Sequence, residues 1–303
     1  MKTAFRSIGN MKALVMTWLT LAAVISVTTG FMPDLEDITA FQYLKKIGIP
    51  LATKLREAEE QSDQNPYRIV GGHYSYIIYF PYQVGLIAVT PDGDAICGGS
   101  LISKTRVLTA GHCWFDGETQ AWKFKVVLGS TRLYGNDGIR FDTALVITHP
   151  QFSPPITNDI AMILLPHTVE YSSTISPIAL PSGKERNQSF VGWVGMASGY
   201  GFISDTDSVD NERYLSYVYL PLVSRQQCYP FQDIDFSKQV CASGEGGRST
   251  CQGDSGGPIV VNSNNRRVLV GIVSFGSSSG CQKGYPSVYT RVSAYLNWIT
   301  LIL

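Results

Sequence analysis

The run Gly253-Asp254-Ser255-Gly256-Gly257-Pro258 constrains this chain more than any other stretch of its 303 residues. Glycine reaches backbone conformations closed to other residues, so a main-chain N–H can be turned toward a bound molecule. A serine held among glycines can offer a hydroxyl nucleophile and an oxyanion-binding pocket from one loop. Alone, such a loop is only a glycine-rich turn. Here it follows Thr109-Ala110-Gly111-His112-Cys113 and Asn158-Asp159-Ile160-Ala161, with Arg68-Ile69-Val70-Gly71-Gly72 upstream of both.

A serine hydroxyl needs an adjacent base before it attacks. His112 is the candidate base, and Asp159 the carboxylate that would fix its tautomer and stabilise the imidazolium. Ser255 is the candidate nucleophile. The remaining histidines, His73, His149 and His167, stand in no such motif and read as structural or surface residues.

His, Asp and Ser in that order, behind a basic residue and Ile-Val-Gly-Gly, resemble a chymotrypsin-family serine protease zymogen over roughly residues 69–300. The resemblance implies an all-β fold: two packed six-stranded antiparallel β-barrels with a C-terminal helix, and the site in the cleft between them. It implies a peptide-hydrolysing triad of His112, Asp159 and Ser255, with the N–H groups of Gly253 and Ser255 as the oxyanion hole. Losing one such donor typically costs ~3–4 kcal/mol of transition-state stabilisation. Cleavage after Arg68 by a trypsin-like enzyme would free the Ile69 amine to fold inward and pair with Asp254, because a buried ammonium needs a partner.

The chain's texture agrees with that fold class. Short β-branched runs such as Tyr82–Ile87, Arg106–Thr109, Lys125–Leu128, Ile160–Leu165 and Val268–Val273 alternate with turn residues, the pattern of a barrel or sandwich. Val292–Ile299 has helical spacing. Three segments precede or carry these motifs. Residues 1–30 have a basic start (Lys2, Arg6, Lys12), an apolar run from Ala13 to Val27, then Thr28-Thr29-Gly30, and read as a secretory signal peptide. The apolar run is shorter than the ~20 residues a membrane span needs. Residues 31–68 read as an activation propeptide; helix formers fill Leu51–Gln64 and Asn65-Pro66 ends the helix. Residues 69–303 read as the protease domain.

The six cysteines are even in number, as in an oxidised, extracellular protein, but count alone leaves many pairings open. The resemblance selects Cys97–Cys113, Cys228–Cys241 and Cys251–Cys281. The propeptide contains no cysteine and is expected to leave after cleavage. The resemblance also places a substrate pocket at Ser249, its floor, with Ser274-Phe275-Gly276 as one wall and Ser287 in the other. Ser249 brings no charge for a basic side chain, Gly276 leaves the entrance open, and Ser287 narrows the slot. These features imply cleavage after aromatic residues or leucine. Elastase-like preference is the competitor, along with the broad specificity of the arthropod brachyurins, which Gly280–Pro286 and Phe80–Leu86 resemble locally.

Equal numbers of acidic and basic residues give no hint of nucleic-acid binding. No His/Cys cluster or carboxylate-rich loop suggests a metal, and no cofactor is expected. The expected protein is secreted, monomeric, digestive rather than part of a cascade, and acts on proteins and peptides. Its expected partners are an activating protease and protein inhibitors. Asn187-Gln188-Ser189 is a glycosylation pattern. A silent homologue acting only as a binding module is the reading from another class; such a protein usually lacks a triad residue, and this chain has all three.

Overall fold

The β-branched runs become strands of two antiparallel sheets. The computed structural model describes residues 34–63, 75–205 and 214–303, with the side chains of 61–63 excepted. The expected signal segment 1–30 and the expected activation junction Arg68–Ile69 lie outside the described residues.

The first sheet contains β1 (Gln83–Thr90), β2 (Gly93–Ser103), β3 (Arg106–Thr109), β4 (Lys123–Leu128), β5 (Ile139–Thr143), β6 (Val146–Thr148) and β7 (Ala161–Leu164). Its order is β5-β4-β1-β2-β3-β7-β6. The resemblance implies six strands and seven are found, for a local reason. The run from Ile139 to Thr148 bends at Ala144-Leu145, where the Val146 N–H turns back to the Ala144 carbonyl (3.1 Å). Its first half pairs with β4 and its second with β7. One long strand thus serves as both edges, and the main chain joins them at the bend.

The second sheet closes completely. It contains β8 (Val194–Gly199), β9 (Ser216–Val223), β10 (Gln239–Ala242), β11 (Pro258–Ser263), β12 (Arg266–Phe275) and β13 (Ser287–Arg291). The order is β10-β13-β12-β11-β8-β9, and pairing of Cys241 with Val223 shuts the ring. Ala197, Leu220, Ile259, Val261 and Val270 pack into one apolar cluster within it, as the alternating faces of strands require. The chain ends in a 3₁₀ turn, Val292–Tyr295, leading into helix α2 (Leu296–Ile302). No helix among the described residues is long and apolar enough to cross a membrane.

Residues 34–63 belong to the same compact unit as the sheets, which spans Met32–Leu303. After a short 3₁₀ turn the segment enters a π-helical turn, Leu44–Gly48, continued by helix α1 (Ile49–Asp63). The wider turn ends just before Pro50, whose missing N–H and bulky ring would strain an ordinary α-helix at that point. Helix α1 lies near the Leu51–Gln64 run expected from composition. Tyr43, Leu44, Leu51, Ala52 and Leu55 are all buried, and they join the core that also contains Leu86, Ile96 and Val107 of the first sheet. Each leucine so buried is worth ~1.5–3 kcal/mol.

Candidate active site

His112 sits in the 3₁₀ turn Gly111–Cys113, directly after β3. Asp159 lies in the residues leading into β7, next to Asn158, whose φ of 49° turns the chain. Pairing of β3 with β7 brings Thr109 opposite Ala161, so the loops at those strand ends meet. Both side chains are fully buried. The His112 backbone N–H donates to Asp159 Oδ1 (2.9 Å), and Nδ1 lies 2.8 Å from Oδ2. These two bonds fix the ring's orientation relative to the carboxylate. Asp159 Oδ2 also accepts from the Ser274 hydroxyl (2.6 Å), and its carbonyl accepts from Thr290 Oγ1 (2.7 Å). A buried carboxylate is tolerated only with such partners.

Ser255 comes from the loop before β11 and is nearly buried. Its carbonyl accepts the Gly98 N–H (2.7 Å), tying the loop to β2 across the gap between the sheets. The loop's glycines are required by geometry. Gly256 has φ +80°, and a Cβ there would lie 2.2 Å from Thr109 Oγ1. Gly253 has φ +99° and equally no room, since a Cβ would lie 2.5 Å from a Leu51 methyl. Asp254 accepts from the Gly201 N–H (3.0 Å) and the Cys251 N–H (2.9 Å).

Three disulfides join Cys97–Cys113, Cys228–Cys241 and Cys251–Cys281, the pairing implied by the resemblance. The first anchors the His112 turn to β2, and the third ties the Ser255 loop to the Gly280–Tyr285 loop.

A cavity beside Ser255 is lined by Ser249, Thr250, Val273, Gly276, Tyr285 and Pro286 among others, and among the described residues none in the lining carries a charge. A Cβ placed on Gly276 would meet nothing within 4 Å. Two expected wall residues have other tasks. The Ser274 side chain is spent on Asp159. Ser287 lies outside the lining, fully buried, with Oγ 2.8 Å from the Tyr289 hydroxyl. Burial pushes the Tyr289 phenol up to about 12.

Thr39 and Tyr43, from the segment before helix α1, also line this site, which motif reading did not foresee. Tyr43 is fully buried; its ring stands edge-on to His112 with centroids 5.0 Å apart, and its hydroxyl donates to the Ile96 carbonyl (2.8 Å). Burial drives its phenol well above the ordinary range, with the Asp254 charge adding to the rise. The Ser255 side chain and the Gly253 N–H, both close to the phenol, act against it. His112 Nε2 is buried and has no hydrogen bond among the described residues. One sequence signal did point here: Leu44, Leu51, Leu55 and Ala58 recur at helical spacing, which marks a face that needs a partner.

Residues 69–299 match the Trypsin family. A collagenase from Hypoderma lineatum is 39% identical over 77% of this chain and 86% of its own length. Brachyurin from Leptuca pugilator is 36% identical over 76% of this chain and 96% of its own. The solved structure of HL collagenase superposes with a TM-score of 0.67 at 37% identity, covering 77% of this chain and 98% of that one. The chain belongs to the trypsin family of serine endopeptidases, with the chymotrypsin-like fold. Its substrates are therefore proteins. Residues 34–63 fall outside the matched segment.

Proposed function

We propose that this chain is a secreted zymogen whose protease domain, residues 69–303, hydrolyses peptide bonds through Ser255, His112 and Asp159. In this reading residues 1–30 are a signal peptide and residues 31–68 a propeptide, removed by a trypsin-like cut after Arg68. Ser255 attacks the scissile carbonyl as His112 takes its proton. Asp159 stays ionised and holds the imidazole. The Gly253 and Ser255 N–H groups receive the developing oxyanion. His112 then gives that proton to the leaving amine as the C–N bond breaks, and water, deprotonated by His112, attacks the resulting acyl-enzyme to release the acid and return the proton to Ser255. The freed Ile69 amine pairs with Asp254 and orders the loop. The observation that carries the reading is the doubly hydrogen-bonded Asp159–His112 pair, buried beside the Ser255 loop.

The uncharged cavity supports cleavage after aromatic residues and leucine. With Ser287 turned toward Tyr289, nothing at that position competes for the slot, which weighs against an elastase-like preference. Broad specificity is the second reading, favoured by similarity to proteins named collagenase and brachyurin. The role implied is extracellular digestion by a monomer, held in check by protein inhibitors. The test is kcat/KM on matched peptides carrying Phe, Tyr, Leu, Ala or Arg before the scissile bond, before and after a cut at Arg68. Phe, Tyr or Leu leading only after the cut is expected. Arg leading would refute the neutral pocket, and a verified cut with no turnover and no labelling by a fluorophosphonate, even after dilution to nanomolar concentration, would refute the enzyme reading.

A further inference from the structure

Residues 34–63 hold the cleft by three independent grips. The first is a strand added to the cleft rim. Ile38 bridges Ser277 in antiparallel fashion. The Thr39 N–H donates to the Gly276 carbonyl (3.0 Å), the Gly276 N–H donates to Thr39 Oγ1 (3.0 Å), and the Ser278 N–H donates to the Asp37 carbonyl (2.9 Å). An extended peptide added to an exposed edge gains affinity from such main-chain bonds.

The second grip is Tyr43. The chain does not run on past Ser255 as an extended peptide would. It curls at Phe41, whose N–H turns toward the Ile38 carbonyl, and at Gln42, which has φ 51°. What reaches the serine is therefore a phenol, not a peptide carbonyl. The ring stands edge-on to His112, its hydroxyl donates to the Ile96 carbonyl (2.8 Å), and Tyr43 and Ser255 line the same cavity. The site is filled by a group it cannot cleave.

The third grip is the helix. Leu51 presses on Gly253, and Gly48 approaches Ala95 of β2 so closely that a Cβ would come within 2.8 Å of the alanine methyl. Near its far end Glu59, almost fully buried, accepts the N–H groups of Leu133 (3.0 Å) and Tyr134 (2.6 Å). Arg56 pairs with Asp94 at 2.8 Å. No grip involves the junction at Arg68, so cutting there removes none of them.

We infer that residues 34–63 are a cleft-filling inhibitor of the protease domain, which stays docked after the cut at Arg68 and must dissociate before substrate can enter. Activation then takes two steps: a covalent cut, followed by release of a non-covalent peptide that competes with substrate. This rests on the zymogen reading above. It modifies the expectation that a propeptide without cysteine simply leaves.

The test uses the full chain and its Tyr43→Ala variant, each cut after Arg68 and checked for an Ile69 amino terminus. Size-exclusion chromatography at micromolar concentration asks whether the 31–68 peptide co-elutes. Amide hydrogen exchange follows Gly276, Ser278, Leu133 and Tyr134, four N–H groups among the described residues that donate to the segment. Peptidase activity is followed after dilution to nanomolar concentration, with and without added synthetic 31–68 peptide. Expected are co-elution, protection of the four amides, and activity that rises with a lag. Added peptide should suppress that activity, with the Tyr43→Ala form of the peptide weaker by roughly tenfold or more. Prompt separation, unprotected amides and immediate activity indifferent to added peptide would overturn the inference while leaving the protease reading intact. Co-elution and protection without any turnover or fluorophosphonate labelling after dilution would support docking and refute the protease reading instead.

Discussion

Tyr43 and His112 stand edge to face, ring centroids 5.0 Å apart at an interplanar angle of 73°. The histidine is the expected general base, and the tyrosine belongs to the segment that the proposed cut after Arg68 would detach from it. Both are fully buried, so in the uncut chain the aromatic ring is part of the core as well as a stopper. Truncating a buried aromatic to alanine costs ~3–5 kcal/mol through lost burial and a cavity. Uncut Tyr43→Ala should therefore melt at lower temperature than the uncut wild type. After the cut and removal of the peptide the two proteins are identical, and their melting should coincide. Equal melting temperatures before the cut would mean Tyr43 contributes nothing to docking.

Glu59 makes the docked state depend on pH. Burial pushes its carboxyl up to about 7 from 4.5, against the pull of the Tyr134 and Leu133 N–H groups and of Arg132. Arg56 and the buried Tyr200 hydroxyl lie in the same neighbourhood. A carboxyl whose pKa is higher when docked holds its proton more tightly there. Its contribution to docking is fully present below 4.5 and is lost as pH rises through about 7. The released peptide should thus rebind on the order of a hundredfold more tightly at about pH 4.5 than at about pH 8. Peptide binding by fluorescence anisotropy across that range measures it. Glu59→Gln, which cannot ionise, should flatten the profile; a slope unchanged in that variant would assign the dependence elsewhere.

The candidate site was legible as a set of residues because they sit in motifs whose spacing is fixed by backbone demands. Gly253 and Gly256 need positive φ and lack room for a side chain, and the cysteines stand where the loops must be tied. The strands were legible from β-branched runs between turns. Two things were not. The bend at Ala144-Leu145 follows from how the sheet curls, which no local pattern records, so the strand count differed by one. Tyr43 and Thr39 carry no motif, since a single aromatic in a short segment gains meaning only from what it touches. Ser274 and Ser287 were expected in the pocket walls and neither lines the cavity, because a serine's hydroxyl goes where a partner is. Asp159, the partner of Ser274, is distant in sequence, and Tyr289, the partner of Ser287, is two residues on along the same strand face.

Ser274 donates to the same Asp159 oxygen that faces His112 Nδ1 (2.6 and 2.8 Å). A hydrogen bond to a charged group is worth ~1.5–3 kcal/mol. Ser274→Ala should lower kcat of the cut enzyme roughly tenfold, with KM nearly unchanged, because the group positions the carboxylate and leaves the cavity alone. Asp159→Asn should cost about 10⁴-fold in kcat, since the amide favours the wrong imidazole tautomer. Steady-state kinetics on a Phe peptide separates the two effects. A rise in KM with kcat intact in Ser274→Ala would place that hydroxyl on the substrate instead.

Gly276 lines the uncharged cavity, where it is the proposed entrance residue. It has no positive φ, and no atom lies within 4 Å of the point where a side-chain Cβ would sit, so a larger residue there is tolerated by the fold. The space it would fill is that of an incoming side chain. Gly276→Val should leave melting of the cut enzyme within about 0.5 kcal/mol of wild type, as a surface change does. It should lower the ratio of kcat/KM for Phe over Ala peptides by roughly tenfold or more, since a pocket discriminates by about 1–3 kcal/mol for each methylene it admits or refuses. The ratio, and not the absolute rate, is the deciding quantity. Valine also changes the rim that pairs with the peptide backbone, and that effect falls on both substrates alike. An unchanged ratio would mean that aromatic side chains enter by a route that does not pass Gly276.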